Sequence, residues 1–271
     1  MELISLHNHT LFCDGKSSME DFVKTAAADG AGAIGFSGHS RMPFYEEYCM
    51  TEESEAAYNK EIDRLRGVYG DRIKIYRGIE ADLFGTSPLD GYDYVIGSAH
   101  YILKDGVYLE IDESKETAIR NVKEYYGGDH YAYVRDYYRM VVMSAKRKET
   151  DIVGHLDLVT KFNEGKALFD DESLKYLEPA FEAVEELLPY DKVFEMNTGA
   201  MSRGYRTEPY IALPVLKFMK AHNVRMTVSA DAHAADCYRY RFDLAIEMLK
   251  AAGYREVWEF DGKGFVPCPI G

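Results

Sequence analysis

The sequence of 271 residues lacks the features of membrane proteins, disulfide-rich proteins and general nucleic-acid binders. Its longest apolar runs, such as 140–143, are far shorter than the roughly 18 residues of a membrane span. It has only four cysteines (Cys13, Cys49, Cys237 and Cys268), none of them in a CxxC pair. Lys and Arg number 32 against 46 Asp and Glu, giving a net charge of −14. This acidic balance argues against binding along a nucleic-acid backbone but leaves room for a local basic pocket.

Targeting and linker segments are also missing from the sequence. The N-terminus has no basic segment followed by an apolar core, so we expect no signal peptide. Unpaired cysteines then favour a cytoplasmic protein with reduced thiols, in which Cys13 is a small buried residue. No Pro/Ser-rich linker, long charge run or repeat divides the chain, so we expect a single domain over residues 1–271.

What the sequence contains is a repeated alternation of β-type and helical segments. The predicted strands are 2–9, 33–37, 73–80, 92–99, 152–156, 193–196 and 225–229, followed by a hairpin over 257–266. The predicted helices are 18–30, 51–69, 114–126, 130–148, 170–188, 209–223 and 235–252. Seven β–α units in one chain predict an α/β fold with a closed or nearly closed barrel. The step from 80 to 92 is too short for a crossover helix, so an open doubly wound sheet is the alternative.

The histidines are placed unevenly along these predicted elements. Six of the eight, together with three acids, lie at or just beyond the C-terminal ends of strand segments: His7, His9, Asp14, His39, Glu80, His100, His155, Asp231 and His233. In a parallel β/α barrel these ends converge on the face where active sites are built. His130 and His222 fall outside the pattern, and we expect them to be structural or surface residues.

The spacing of these residues points to metal binding. His7 and His9 are two apart in an extended segment, so both imidazoles project from the same side, and Asp231 and His233 repeat the spacing. Imidazoles and carboxylates without a thiolate suit Zn, Mn or Fe. Nine such groups exceed the needs of one ion, which predicts two or three divalent ions with a carboxylate such as Glu80 bridging a pair. Centres of this kind activate water and stabilise phosphoryl transfer.

The ordered motifs around these residues resemble those of the PHP superfamily (polymerase and histidinol phosphatase). The motifs are His7-Asn8-His9-Thr10, Asp14-Gly15, Gly38-His39, Gly78-Ile79-Glu80, Gly97-Ser98-Ala99-His100, Gly154-His155-Leu156-Asp157 and Ser229-Ala230-Asp231-Ala232-His233. Within the superfamily, the segments 154–159, 195–199 and 259–265 are most similar to the histidinol-phosphate phosphatases.

The resemblance implies a distorted (β/α)7 TIM-like barrel, the PHP fold, with a trinuclear metal centre. The implied ligands are His7, His9, Glu80 and Asp231 for the first ion, Glu80, His100 and His155 for the second, and Asp14, His39 and His233 for the third. The implied activity is hydrolysis of a phosphomonoester, L-histidinol phosphate in histidine biosynthesis, by a hydroxide bridging two ions. Asp231 or His233 would protonate the leaving alkoxide.

An acidic chain still needs cationic groups to hold a substrate phosphate. Arg203 and Arg206, after the strand around Asn197, are the first candidates because arginine can grip phosphate with two parallel donors. Lys161 and Arg41 each follow a motif histidine closely and are further candidates. The sequence also predicts that Glu195 and Asn197 support the ligands rather than bind metal.

Two alternative functions remain open at this point. A phosphoesterase of the same family could act on a nucleotide, a cyclic phosphodiester or phosphotyrosine. A metal-binding accessory or proofreading module of a nucleic-acid machine is the third possibility, and the lack of any basic footprint argues against it. We therefore expect a small-molecule phosphate ester as partner, with no nucleic acid and no membrane. The tyrosines between His100 and His155 are expected to pack in the core, although one or two could cover a substrate.

Overall fold

The computed structural model describes residues 3–44 and 47–271. The ten strands of this part of the chain are β1 (Ala33–Phe36), β2 (Lys74–Asp82), β3 (Tyr94–Ser98), β4 (Tyr101–Lys104), β5 (Val107–Glu110), β6 (Ile152–Val153), β7 (Val193–Asn197), β8 (Arg225–Ser229), β9 (Glu256–Phe260) and β10 (Phe265–Pro269). Six of them form one curled parallel sheet in the order β1-β2-β3-β6-β7-β8. β4 pairs with β5, and β9 pairs with β10, as antiparallel hairpins.

The N-terminal segment closes this sheet into a barrel. On one side Gly35 N–H donates to the Ser5 carbonyl (2.9 Å). On the other side His9 N–H donates to the Ala232 carbonyl (2.8 Å). The segment is extended but forms no continuous ladder, because the Asn8 side chain donates to the Gly35 carbonyl (2.8 Å) in place of a main-chain donor. In place of the strand predicted at 2–9, residues 3–9 form an extended segment, named here the N-terminal stave, which is hydrogen-bonded to the sheet and makes one β-bridge, between Asn8 and Ala232. Glu2 lies outside the described residues.

Six strands and this stave confirm the predicted distorted (β/α)7 barrel, and the alternative of an open doubly wound sheet is wrong. The connection 83–93 between β2 and β3 consists of turns, which explains how two neighbouring parallel strands are joined without a helix. Among the described residues, no helix is both long and apolar enough to cross a membrane.

Helices cover the outside of the sheet. They are α1 (Met19–Ala28), α2 (Glu52–Tyr69), α3 (Lys115–Tyr126), α4 (His130–Ala145), α5 (Leu174–Leu187), α6 (Gly199–Ser202), α7 (Leu213–Ala221) and α8 (Phe242–Ala251). α1 begins at Ser18, whose hydroxyl accepts the Asp21 N–H (3.2 Å) while the Asp21 carboxylate accepts the Ser18 N–H (3.2 Å). This reciprocal cap satisfies two donors that a helix start otherwise leaves unpaired.

One predicted helix starts later in the structure than in the prediction, and one hairpin was not predicted, each for a local reason. The helix predicted at 235–252 begins only at Phe242, because Arg241 adopts a left-handed backbone (φ 52°) that an α-helix does not contain. The hairpin of β4 and β5 was not predicted. Its turn is Asp105-Gly106, where both residues have positive φ (50° and 81°), as a two-residue hairpin turn requires.

Aromatic side chains fill the N-terminal end of the barrel. The Tyr94 ring enters between the strands, and its hydroxyl lies within hydrogen-bonding distance of the Leu6 and Phe36 carbonyls. Gly78 makes room for this ring, because a Cβ there would lie 2.2 Å from the Tyr94 ring. Phe260, from the C-terminal hairpin, covers the opening with its ring centroid 5.7 Å from that of Tyr94. This end is a closed apolar plug.

Candidate metal centre

All nine predicted metal ligands lie together at the C-terminal end of the barrel. His7 and His9 come from the N-terminal stave, Glu80 from β2, and the others from the segments that follow the strands. Seven of the nine are buried, and Asp14 and His233 are half-buried. The contacts described below join them into one continuous cluster, which the sequence could predict only by assuming that the strands form one barrel.

Glu80 lies at the centre of this cluster, with its two carboxylate oxygens facing different histidines. Oε2 is 3.4 Å from Nε2 of His7 and 3.4 Å from Nε2 of His9. Oε1 is 2.9 Å from Nε2 of His155 and 3.4 Å from Nε2 of His100. Oε1 therefore faces one pair of imidazoles, and Oε2 faces another pair together with His39. Separate imidazole groups on the two oxygens are expected of a carboxylate that bridges two cations.

The donor atoms in this cluster fit a bound cation. His7 Nε2, His9 Nε2, Glu80 Oε2 and Asp14 Oδ1 are all buried without a hydrogen-bond partner. Buried polar atoms are almost always satisfied, because leaving one unpaired costs roughly 1–3 kcal/mol. Imidazole nitrogens and carboxylate oxygens are also the ligands that Zn and similar divalent ions take in catalytic sites. The residues therefore fit a divalent metal centre.

A second group of donors lies beside the first. Ligand atoms of His9, Asp14, His39 and His233 all lie within 4.8 Å of one another. His233 Nε2 is 2.9 Å from Asp14 Oδ2, and His39 Nε2 is 3.7 Å from Asp14 Oδ1. His39 also reaches Glu80, with its Nδ1 2.9 Å from Oε2. The cluster thus continues from the Glu80 bridge toward solvent through Asp14 and His233.

Asp231 is held in an uncommon backbone conformation beside these groups. Its φ is 45°, in the left-handed region that residues other than glycine seldom adopt. Its Oδ1 lies 3.3 Å from His9 Nε2, and Arg203 donates to its Oδ2 (3.1 Å) and to its carbonyl (3.0 Å). Gly199 is packed against it, because a Cβ at this glycine would lie 2.7 Å from Asp231 Oδ2. Strain and close packing together fix the direction of this carboxylate.

Burial and neighbouring charges separate the protonation states of the two histidines on the N-terminal stave. Burial, with the nearby charges of His39 and His233, lowers the pKa of His9 to about 3. Burial also opposes the charge on His7, but carboxylates led by Glu195 outweigh it and raise its pKa well above the usual value. A cation at His7 therefore competes with a proton.

A single cysteine touches the cluster. Cys13 Sγ lies 3.6 Å from His9 Nδ1. Burial, followed by the charge of Asp14, raises the pKa of this thiol to about 12. The thiol therefore stays protonated at neutral pH, and Cys13 is half-buried rather than fully buried as the sequence predicts.

Glu195 lies behind the ligands, where the sequence predicts a supporting role. Its Oε2 is 2.9 Å from His7 Nδ1, and its Oε1 accepts the main-chain N–H of His155 (2.7 Å). Asn197 donates to the same Oε1 (2.8 Å). Asp82 makes comparable contacts with His100, and sequence reasoning missed it. The signal was present, since Glu80-Ala81-Asp82 has the same spacing as His7-Asn8-His9.

A cavity of about 360 Å³ opens over this cluster. Its wall is formed by Asp14, Lys16, His39, Tyr48, Glu80, His100, Glu110, Asp112, Glu113, His155, Leu158, Lys161, Arg203, Tyr205, Asp231 and His233. Sequence reasoning did not single out Lys16, Tyr48 or Tyr205. The tyrosines of the 125–138 segment are absent from this wall, and Tyr137 instead donates to the His155 carbonyl (3.1 Å) from within the core.

Of the four predicted phosphate-binding cations, two line the cavity and two do not. Lys161 and Arg203 line the cavity. Arg206 does not, because its Nη1 donates to the Thr160 carbonyl (2.9 Å) and its guanidinium lies over the Tyr210 ring. Arg41 lies outside as well, with its Nε 2.8 Å from Glu55 Oε2.

The comparisons with known proteins agree with this geometry. A histidinol-phosphatase of Lactococcus lactis is 26% identical over 274 residues, covering 97% of this chain and 96% of that protein. The solved structure of the Lactococcus lactis histidinol phosphate phosphatase, complexed with zinc, L-histidinol and phosphate, matches with a TM-score of 0.66 at 21% identity and covers 98% of this chain and 99% of that one. A solved Listeria monocytogenes structure matches with a TM-score of 0.72 at 16% identity, covering 89% and 98%.

The family model described as "PHP domain" matches residues 5–199, which contain seven of the nine clustered residues. Asp231 and His233 lie beyond the matched range but complete the same cluster. The match covers well over half of the chain, and the motifs, the barrel and the clustered ligands agree with it. The chain belongs to the PHP domain family.

Proposed function

We propose that this protein is a metal-dependent phosphatase that hydrolyses L-histidinol phosphate to L-histidinol and phosphate. The observation that carries the proposal is the position of Glu80, between two pairs of imidazoles on the floor of a cavity that Lys161 and Arg203 line. The substrate is supported by the Lactococcus lactis relatives, one of which is complexed with zinc, L-histidinol and phosphate.

We propose the metal ligands that the family resemblance implies, and the proximity of these side chains in the cluster supports them. His7, His9, Glu80 and Asp231 would hold one divalent ion. Glu80, His100 and His155 would hold a second, and Asp14, His39 and His233 a third. When bound, such ions activate a water molecule for attack on phosphorus and neutralise the phosphoryl oxygens. Zn, Mn and Fe all suit this set of nitrogen and oxygen donors.

The cavity wall presents both signs of charge to a substrate. Lys161 and Arg203 offer cationic donors to a phosphate group. Opposite charge comes from Glu110, Asp112 and Glu113. Burial opposes ionisation of Asp112, yet the charges of Lys161 and His100 hold its pKa at about 2. A substrate with a phosphate at one end and an amine at the other complements this wall better than a nucleotide, which has no cationic group at neutral pH to pair with these acids.

Hydrolysis also requires a proton for the leaving alkoxide. Asp231 and His233 both line the cavity, and Arg203 contacts both, with its Nη1 2.7 Å from His233 Nδ1. Either side chain is placed to deliver a proton on the substrate side of the cluster. We also propose that the protein works in the cytoplasm, supported by the free thiols of Cys13, Cys237 and Cys268.

The test is a substrate panel with purified, metal-reconstituted protein. L-histidinol phosphate, p-nitrophenyl phosphate, a nucleoside monophosphate, phosphotyrosine and a cyclic phosphodiester are compared by kcat/KM, and elemental analysis counts the ions. We expect a preference for L-histidinol phosphate and loss of activity with a chelator. Equal rates on all monoesters would contradict the substrate assignment, and activity that survives complete metal removal would contradict the metal mechanism.

The Asp112→Asn variant sharpens the substrate assignment. Removing this carboxylate should lower kcat/KM for L-histidinol phosphate about 10-fold, which corresponds to a loss of roughly 1.4 kcal/mol in transition-state stabilisation. The same variant should hydrolyse p-nitrophenyl phosphate, which has no amine, nearly as fast as the wild type. An equal loss on both substrates would mean that Asp112 acts on the phosphate end, through Lys161, to which it is paired at 3.1 Å.

A further inference from the structure

Asp82 is a buried carboxylate directly behind His100. Its side chain is 5% exposed, and its Oδ2 lies 3.2 Å from His100 Nδ1. The same Oδ2 accepts the main-chain N–H of His100 (2.9 Å). Asp82 does not line the cavity, so its contacts with the cluster run through His100.

Local hydrogen bonds fix the position of this carboxylate. Its second oxygen, Oδ1, accepts the N–H of Phe84 (2.7 Å), which closes a short turn at the end of β2. The Asp82 N–H donates to Ser40 Oγ (3.1 Å), and Arg147 donates to the Asp82 carbonyl (2.9 Å). The carboxylate is thus held from several sides, with His100 as its ionisable neighbour.

This contact decides which nitrogen of His100 is free. Asp82 Oδ2 accepts the His100 main-chain N–H (2.9 Å) and lies 3.2 Å from Nδ1, so this geometry favours a proton on Nδ1 that the same oxygen accepts. Nε2 then keeps its lone pair, and it lies 3.4 Å from Glu80 Oε1. A carboxylate that accepts a proton from the far nitrogen of a ligating histidine orients the ring and makes the near nitrogen more basic.

The other oxygen of Glu80 has a matching arrangement. Glu195 Oε2 lies 2.9 Å from His7 Nδ1, and His7 Nε2 lies 3.4 Å from Glu80 Oε2. His155, in contrast, has its Nδ1 buried without a hydrogen-bond partner. Each oxygen of Glu80 thus faces one histidine that has a carboxylate behind it.

We propose that Asp82 is a positioning residue that directs His100 Nε2 toward the cation shared with Glu80 Oε1 and His155. Its counterpart Glu195 serves the cation on the Oε2 side through His7. The proposal rests on the metal assignments of the proposed function, but it is independent of the substrate. It predicts that Asp82 acts on the ion at the Oε1 side, whereas Glu195, which also accepts the His155 main-chain N–H (2.7 Å), contacts ligands of both ions.

The test compares Asp82→Asn with Glu195→Gln and with Ser40→Ala as the matched control. Ser40→Ala removes the acceptor of the Asp82 main-chain N–H (3.1 Å) and leaves the carboxylate with its contacts to Phe84 and His100. Each purified variant is dialysed against zinc buffers of graded free concentration, and bound zinc is counted by elemental analysis. We expect Asp82→Asn to weaken the binding of one zinc ion by about 10- to 100-fold. Ser40→Ala should bind that ion with the wild-type affinity. Equal weakening in Ser40→Ala, or full retention in Asp82→Asn, would overturn the proposal.

A second measurement uses the wild-type protein, so it does not depend on the folding of a variant. Long-range ¹H–¹⁵N correlation spectra of histidine side chains identify which ring nitrogen carries the proton. We expect His100 to be protonated at Nδ1 when zinc is bound, with the signal assigned by its loss in His100→Gln. Protonation at Nε2 instead would contradict the proposal. Neither readout involves catalysis, so failure of the substrate assignment would leave both results interpretable.

Discussion

The two ends of the barrel bury very different side chains. At the C-terminal end, imidazoles and carboxylates come within 4 Å of one another, and several of their donor atoms have no hydrogen-bond partner. At the N-terminal end, Tyr94 and Phe260 form a dry aromatic plug, and the Tyr94 hydroxyl finds main-chain acceptors. The same strands thus build one end from apolar packing and another end where buried ligand atoms such as His7 Nε2 and Glu80 Oε2 have no hydrogen-bond partner.

Two buried glutamates make the comparison quantitative. Glu80, at the C-terminal end, is 1% exposed, and Glu259, in β9 at the other end, is 7% exposed. Burial opposes ionisation of Glu80, but the charges of His39 and His7 outweigh it and hold its pKa well below the usual value. Burial raises the pKa of Glu259 to about 7, with only the Ile4 N–H and the charge of Arg239 opposing the shift. The partners of a buried acid, rather than its depth, decide whether it is ionised.

The largest expected effect is at Glu80. The Glu80→Gln variant removes the charge shared by both imidazole pairs, so we expect the proposed phosphatase activity to fall about 1,000-fold, or roughly 4 kcal/mol. Elemental analysis should show the loss of at least one ion. The matched control is Glu259→Gln, the same chemical change at the opposite end, which should keep both the metal content and kcat.

A packing change at the plug should separate stability from activity. In Gly78→Ala the new Cβ would lie 2.2 Å from the Tyr94 ring. We expect a loss of about 3 kcal/mol in the free energy of unfolding, which corresponds to roughly 6–10 °C in the melting temperature for a chain of this size.

The control for this change is Gly67→Ala in α2, where no atom lies within 4 Å of the added Cβ. It should not lower the melting temperature, because alanine favours a helix. Thermal unfolding followed by circular dichroism measures both variants. Equal melting temperatures for the two variants would show that the barrel interior accommodates the extra methyl group.

The smallest expected effect concerns pH and Glu259. The pKa of Glu259 is higher in the folded protein than in the unfolded chain. Below the unfolded-state pKa, burial of this acid therefore does not reduce the free energy of unfolding, and the reduction grows as the pH rises from that value toward 7. Wild-type protein should therefore lose stability relative to Glu259→Gln between pH 5 and pH 8, by about 2 kcal/mol. Urea unfolding of both proteins at the two pH values measures the difference. A constant difference across this range would show that Glu259 does not titrate there.

Much of the barrel and the ligand cluster could be predicted from local signals. Period-two spacing at His7-x-His9 and at the strand ends is visible in the sequence, and the barrel brings those ends together. The Asp105-Gly106 pair is an equally clear hairpin-turn sequence, and Asp82 follows Glu80 at the same two-residue spacing that separates His7 and His9. Both the hairpin and the position of Asp82 are therefore predictable from the local sequence.

Other features depend on tertiary contacts that no local pattern reveals. Arg206 lies three residues from Arg203, yet Thr160, 46 residues away in sequence, binds its guanidinium outside the cavity. Asn8 replaces main-chain ladder contacts of the N-terminal stave with a side-chain contact to Gly35. The metal-ligand assignments, the number of ions and the single domain over 1–271 stay predictions.

The closure of the barrel by its first residues has a consequence for synthesis in the cell. His7 and His9 are synthesised more than 220 residues before the Ala232 amide and carbonyl that hold them. At typical elongation rates this interval lasts about 10 to 45 s. Incomplete chains therefore hold a pair of histidines but not the closed barrel that joins them to Asp231. We therefore expect the complete donor cluster to form only after Asp231 and His233 have been synthesised.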